Sequence, residues 1–201
     1  MVKLNMYSVN NEYFNNINTE LQAYVLAWFW SRGSGHIQVH YRDIETLYLI
    51  QNAIKYTGNI HTHKNTSELN IPYFSPHLLN TGCVRNCHYT QLLPSISDQL
   101  LPHFIRGIFD SYGTIVIAKQ KYLNITIVYD ERFITQLREF LHNVLRVSTR
   151  HYYRYSHTNT LQMMITRTAH TVRFLDWLYQ DANYYLTRKF QMYHQYLENG
   201  V

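Results

Sequence analysis

Three stretches of the chain place hydrogen-bonding side chains at alternate positions. His36, Gln38 and His40 alternate with Ile37, Val39 and Tyr41, and Arg150, Tyr152 and Arg154 share one parity of residues 149–155. Asn124 and Thr126 share one parity of residues 123–129, and Gln162 adds a further polar position. A period of two puts such residues on one face of a strand. Arg and Gln on that face can read base edges in a groove or hold phosphate oxygens. Lys119 and Lys121 flank a hairpin tip and suit phosphates. An ordinary solvated sheet face has the same pattern, so spacing alone leaves both readings open.

Other chemistry is poorly supported. His61 and His63 form an H-x-H pair, and Cys83, Cys87 and His88 lie together. The cysteines are spaced C-x3-C without a matching second pair, which is not a zinc pattern, and no metal site is expected. No glycine-rich phosphate loop and no nucleophile elbow occurs. Twelve histidines and a formal charge of +5 with pI 9.1 allow a polyanionic partner without requiring one.

The elements that would position these residues can be read from periodicity. The chain has 201 residues and 46% hydrophobic content, enough for a real core. It has no apolar run long enough to span a membrane and no secretory leader pattern, and two cysteines fit a reducing compartment, so an intracellular protein is expected. Residues 1–18 are polar and read as a loosely held arm. Thr19 and Gln22 have capping-box spacing ahead of an apolar helix that stops at Gly33. A strand at 36–41 follows, then a helix capped by Asp43, short strands at 59–64 and 69–74, and a helical turn at 76–82. The order recurs. A helix capped by Ser97 runs to Gly113, followed by a hairpin at 114–118 and 123–129. Asp130 then caps a helix, a hairpin spans 149–155 and 160–166, and the last 30 residues or so are helical. The plan is a duplication, with halves at 19–96 and 97–201 fused into one domain. Only nine residues separate Gly33 from Asp43, too few for a long hairpin, so the first half is expected to carry a shorter contact ribbon.

The two helix ends read V-L-A-W-F-W-S-R-G from Val25 and I-R-G-I-F-D-S-Y-G from Ile105. Ala27 with Ser31, and Gly107 with Ser111, are small pairs four residues apart. Such pairs let helix backbones approach closely, although ordinary amphipathic helices also carry them. The two segments resemble degenerate copies of the LAGLIDADG motif of homing endonucleases and intron maturases. F-I-R-G-I-F-D-S-Y-G-T-I, from Phe104, is the nearer copy. L-N-T-G-C-V at 79–84 resembles the segment ahead of the family's second motif, and residues 174–190 resemble its closing helical segment. The likeness spans roughly residues 21–197.

That resemblance implies an α+β fold of two pseudo-symmetric αββαββα halves in a monomer. The motif helices would pack side by side, with saddle-shaped antiparallel sheets over DNA. In active members the eighth motif residue is an acid that holds divalent metal. Here that position is Arg32 in one copy and Tyr112 in the other, neither of which replaces a carboxylate. Asp110, at the sixth position, projects about 200° around the helix from the eighth. It is a weak substitute ligand and suits local hydrogen bonding better. Arg32 either donates to phosphate or points to solvent. No cofactor is expected, and Mg²⁺ enters only if cleavage is retained. The resulting expectation is a double-stranded DNA-binding protein without metal-dependent cleavage. The alternatives are an RNA-binding splicing maturase, an active endonuclease with unusual ligands, and a domesticated structural or regulatory module.

Overall fold

The computed structural model describes residues 7–30, 35–71, 92–119, 121–153 and 159–199. Helix α1 (Glu20–Trp30) opens with the reciprocal bonds of a capping box. Gln22 N donates to Thr19 Oγ1 at 3.2 Å, and Thr19 N donates to Gln22 Oε1 at 3.2 Å. Every residue from Ala23 to Trp30 is buried, so this helix is wrapped on all sides. Residues 8–17 are not the loose arm their polarity suggested. Phe14 is buried, Ser8 N donates to Thr57 Oγ1, and Asn10 N donates to the Ile54 carbonyl.

Strand β1 (His36–His40) follows, then a 3-10 turn (Tyr41–Asp43) that runs directly into α2 (Ile44–Ala53). Asp43 precedes α2 but makes no side-chain cap. Arg188 Nε donates to both of its carboxylate oxygens at 3.0 Å instead. Strands β2 (Ile60–Thr62) and β3 (Thr66–Asn70) complete a sheet of order β1-β3-β2. Strand β3 begins three residues before the sequence placed it. His63 N donates to the Thr66 carbonyl and closes the turn early. Ser67 and Leu69 are thereby the inward pair of β3.

In the second half, α3 (Leu101–Tyr112) starts one turn beyond Ser97. The Ser97 carbonyl, not its side chain, accepts from Leu100 N and Leu101 N. Strands β4 (Gly113–Ala118) and β5 (Tyr122–Asp130) form a hairpin. Asp130 caps α4 (Glu131–Asn143) by accepting from Arg132 N and Phe133 N. Strands β6 (Arg150–Tyr153) and β7 (Thr160–Ile165) complete a sheet of order β4-β5-β7-β6. The closing helical stretch is two helices, α5 (Thr168–Tyr179) and α6 (Thr187–Glu198). The break between them exists because other elements take its backbone. Glu20 accepts from Asn183 N and Tyr184 N, and Asp110 accepts from Leu186 N.

The architecture is α+β with two antiparallel sheets. The second half is αββαββα with one further helix, α6, whereas the described first half has one strand where the second has the β4–β5 hairpin. The short Gly33–Asp43 stretch accounts for this, since five strand residues and a 3-10 turn use most of it. Helix α2 packs on the first sheet and α4, α5 and α6 on the second, and among the described residues most side chains of the opposite parity stay partly or fully exposed. The expected helical turn at 76–82 lies outside the described residues. Among those residues, no helix is long and apolar enough to cross a membrane.

At the centre α1 and α3 pack on each other more extensively than any other helix pair. A Cβ added at Gly107 would lie 2.6 Å from Ala27 Cβ and 2.6 Å from the Tyr24 carbonyl oxygen, so only glycine permits this crossing. Ser111 Oγ folds back on the Gly107 carbonyl at 2.8 Å. Two long-range polar ties lock the pair. Arg106, fully buried, donates to Glu20 Oε1 at 2.7 Å and to the Leu178 and Tyr184 carbonyls. Tyr24 OH donates to Asp110 Oδ2 at 2.9 Å.

Candidate nucleic-acid interface

The open face of the first sheet is polar throughout. Ile37, Val39, Ser67 and Leu69 point inward, which turns His36, Gln38, His40, Thr66, Glu68 and Asn70 outward. The register sets Gln38 opposite Glu68 and His40 opposite Thr66. On the other side of β3, His61 lies opposite Glu68. His40 is held locally, since its Nδ1 accepts from Arg42 N and its ring packs on Tyr41 at 4.6 Å.

The open face of the second sheet mixes polar and apolar groups. Leu123, Ile125 and Ile127 of β5 and Leu161, Met163 and Ile165 of β7 are buried. Asn124, Thr126 and Gln162 therefore sit on the outward parity. Thr114, Thr126, Met164 and Arg150 form one row across all four strands. Val128, Gln162 and Tyr152 form the next row, and Asn124 lies opposite Val116. Arg150 and Tyr152 are exposed at the outer strand. Lys119 and Lys121 project at the β4–β5 turn, where Lys119 takes a left-handed backbone (φ 51°). Tyr196 OH donates to the Lys121 carbonyl and ties this turn to α6.

The seam between the helices differs in kind. Asp110 is buried, and burial pushes its carboxyl above the usual range against the pull of Lys189. Its Oδ2 accepts from Tyr24 OH and Leu186 N, whereas its Oδ1 is buried without a hydrogen-bond partner among the described residues. Lys189 Nζ, also buried, donates to the carbonyls of Phe109, Asp110 and Gly113 at 2.6, 2.9 and 2.6 Å. It closes the C-terminal end of α3, where the last carbonyls lack partners and the helix dipole is negative. Burial lowers its pKa to about 8. The matching end of α1 is met by a neutral group, with Tyr129 OH donating to the Trp30 carbonyl at 3.2 Å. Tyr112 is half-buried, and its ring packs on Tyr129 at 5.1 Å. A cleft of about 240 Å³ links the end of α3 to the first sheet, and Asp43, Asp110, Ser111, Gln38, His40 and Arg188 are among the residues that line it.

The structure thus groups His36, Gln38 and His40 on one sheet face and Asn124, Thr126, Arg150, Tyr152 and Gln162 on the other. Ala27 and Gly107 meet at the helix crossing, with Ser111 one turn on. Arg32, Ser31 and Arg154 lie outside the described residues, as do Cys83, Cys87 and His88. Among the described residues no group of three or more His, Cys, Asp or Glu is arranged to hold a metal ion. At the α3 end the eighth motif position supplies a phenol, a poor ligand for Mg²⁺, and the two carboxylates that line the adjoining cleft are engaged in part, Asp110 by Tyr24 and Leu186 N and Asp43 by Arg188. Sequence reasoning missed Glu68, Thr66 and Asn70 on the first sheet. The alternation T-S-E-L-N at 66–70 was the available signal.

No family model matches the chain, and no curated protein sequence matches it. Solved structures do. The I-LtrWI LAGLIDADG homing endonuclease bound to target DNA superposes with TM-score 0.60 at 12% identity, over 88% of this chain and 88% of that one. Meganuclease I-SmaMI bound to uncleaveable DNA gives 0.59 at 12% identity, over 90% of each chain. The N-terminal LAGLIDADG domain of DUF199/WhiA gives 0.55 at 16% identity, over 84% of this chain and 89% of that one. The fold of this chain is therefore LAGLIDADG homing-endonuclease-like.

Proposed function

We propose that this LAGLIDADG-like chain binds double-stranded DNA across its two open sheet faces, as a monomer and without metal-dependent cleavage. The observation that carries the reading is the pair of sheet faces that no described helix covers, each set with outward hydrogen-bonding side chains in cross-strand register. The DNA-bound neighbours support it by sharing the fold. Arg150, Lys119 and Lys121 suit phosphate, and Gln38, Asn124 and Gln162 suit base edges. The absence of cleavage rests on Tyr112 at the second motif position, on Arg32 at the first, and on the inward engagement of Asp110.

The test is a salt titration of binding to randomised duplex DNA, with and without Mg²⁺. Binding is expected to weaken steeply with salt, by a slope of about 0.9 per phosphate contact. Lys119→Ala with Lys121→Ala is expected to lower that slope. Specific nicking in Mg²⁺ would refute the loss of cleavage. Tight salt-dependent binding to structured RNA with none to duplex DNA would move the reading to RNA.

A further inference from the structure

We propose that Glu68 reads a base, accepting a hydrogen bond from the N4 amino group of a cytosine that faces the first sheet. The proposal rests on the DNA-binding reading above. Glu68 lies on the central strand of that sheet, with Gln38 opposite on one side and His61 opposite on the other. It is the one carboxylate on this face among the described residues. His36 Nε2 lies 3.3 Å from its Oε2, and His63 Nε2 lies 3.4 Å from its Oε1. Its side chain is 27% exposed. The two rings therefore grip both oxygens without covering them.

A carboxylate on a DNA-facing sheet is ordinarily repelled by phosphates. Here two histidines that can carry positive charge bracket it, and their hydrogen bonds hold the carboxyl below its usual pKa. An ionised carboxylate only accepts, and each oxygen has more than one lone pair, so bonding one ring per oxygen leaves acceptors for a ligand. In the major groove guanine presents N7 and O6, and thymine O4, all of which repel it. Adenine sets its N6 donor beside the N7 acceptor, whereas cytosine presents its N4 donor without an acceptor on the same base. The residue thus selects by attraction to one base and repulsion of others. If Glu68 served only to tie β1 to the β2–β3 turn, replacing it would change stability and leave base preference alone.

The experiment is selection from randomised duplexes at fixed salt with the full chain, followed by affinities on single-position variants of the winning site. The wild type is expected to fix cytosine at one position of one half-site, with other bases there about tenfold weaker. Glu68→Gln keeps the size and removes the charge. It is expected to lose that cytosine preference while preferences at all other positions stay as they were. Glu68→Asp, which keeps the charge and shortens the reach, is expected to weaken the preference without inverting it. An unchanged preference profile for Glu68→Gln, or a uniform loss on every sequence, would overturn the proposal and leave DNA binding standing. Failure of the wild type to retain any duplex would overturn the DNA reading itself.

Discussion

Gly107→Ala tests the helix crossing on which both halves hang. In an exposed helix this change stabilises by about 1 kcal/mol, because alanine is the better helix former. At this crossing the new methyl would sit 2.6 Å from Ala27 Cβ and 2.6 Å from the Tyr24 carbonyl oxygen. Ordinary carbon contacts begin near 3.4 Å, so α1 and α3 must part by most of an ångström. Neither obstacle can rotate away, since one is a Cβ and the other is backbone. Overpacking of this kind costs about 1–3 kcal/mol, and the propensity gain offsets up to ~1 of it. The expected net loss is about 1–2 kcal/mol, which lowers Tm by roughly 3–6 °C in a domain of this size. Urea and thermal unfolding would measure it. Ala27→Gly in the same chain removes one obstacle and leaves the carbonyl. The double-mutant cycle is therefore expected to show a favourable coupling of about 0.5–1 kcal/mol, not a full rescue. A more stable Gly107→Ala protein would refute the close crossing.

Three further outcomes follow from the same contacts. Arg106→Met removes the charge partner of Glu20 and the donors to the Leu178 and Tyr184 carbonyls, and is expected to destabilise by about 3 kcal/mol, read by urea unfolding. Lys189 should give a pH signature. Its folded pKa, about 8, lies below the ordinary 10.5, so between those values the unfolded chain binds more protons and stability rises with pH. Wild type is expected to gain on Lys189→Met across that window, and parallel curves would refute the buried ammonium. Glu68 acts at the acid end. Its pKa is held below 4.5 by bonds from His36 and then His63, so its contribution is present above 4.5 and lost as pH falls below it. His61, opposite it on β2, is a further titratable group, so Glu68→Gln is the control that isolates it. The gap between the two proteins is expected to hold above pH 4.5 and to close as pH falls below it.

What was legible in the sequence was local. Thr19 and Gln22 formed their capping box because both partners lie within one turn. Residues 36–40 alternate as read because burial on one face enforces the period. The shorter first half followed from chain length alone. The failures are long-range. Asp43 was read as a cap by position, but Arg188, 145 residues away, takes its carboxylate. Arg106 and Glu20 are 86 residues apart, and nothing in either neighbourhood signals the pair. Glu68 was lost to a displaced strand, since it falls between the stretches 59–64 and 69–74 and so was given no face, whereas β3 begins at Thr66. Asp110 was read as a local hydrogen-bonding group. Its partners are instead Tyr24 on α1 and Leu186 N ahead of α6.

The two helix ends at the centre carry the argument about chemistry further than the motif letters do. Losing a carboxylate at Tyr112 removes a metal ligand, but a ligand can in principle come from elsewhere. Lys189 makes that substitution harder. Its ammonium is bonded to carbonyls that flank Tyr112 in the chain, at the pole of α3 where a cation is already favoured. A divalent ion brought to the same pole would face that fixed positive charge, and the carbonyls it might use are taken. Asp110 offers only its Oδ1 toward that balance, because the bonds of Oδ2 to Tyr24 and Leu186 N hold α3 to α1 and to the segment ahead of α6. Freeing Oδ2 for a metal would loosen the crossing it stabilises. Around α3 the polar groups thus serve to fasten the two halves, and the groups left over for a polyanion are those on the sheets.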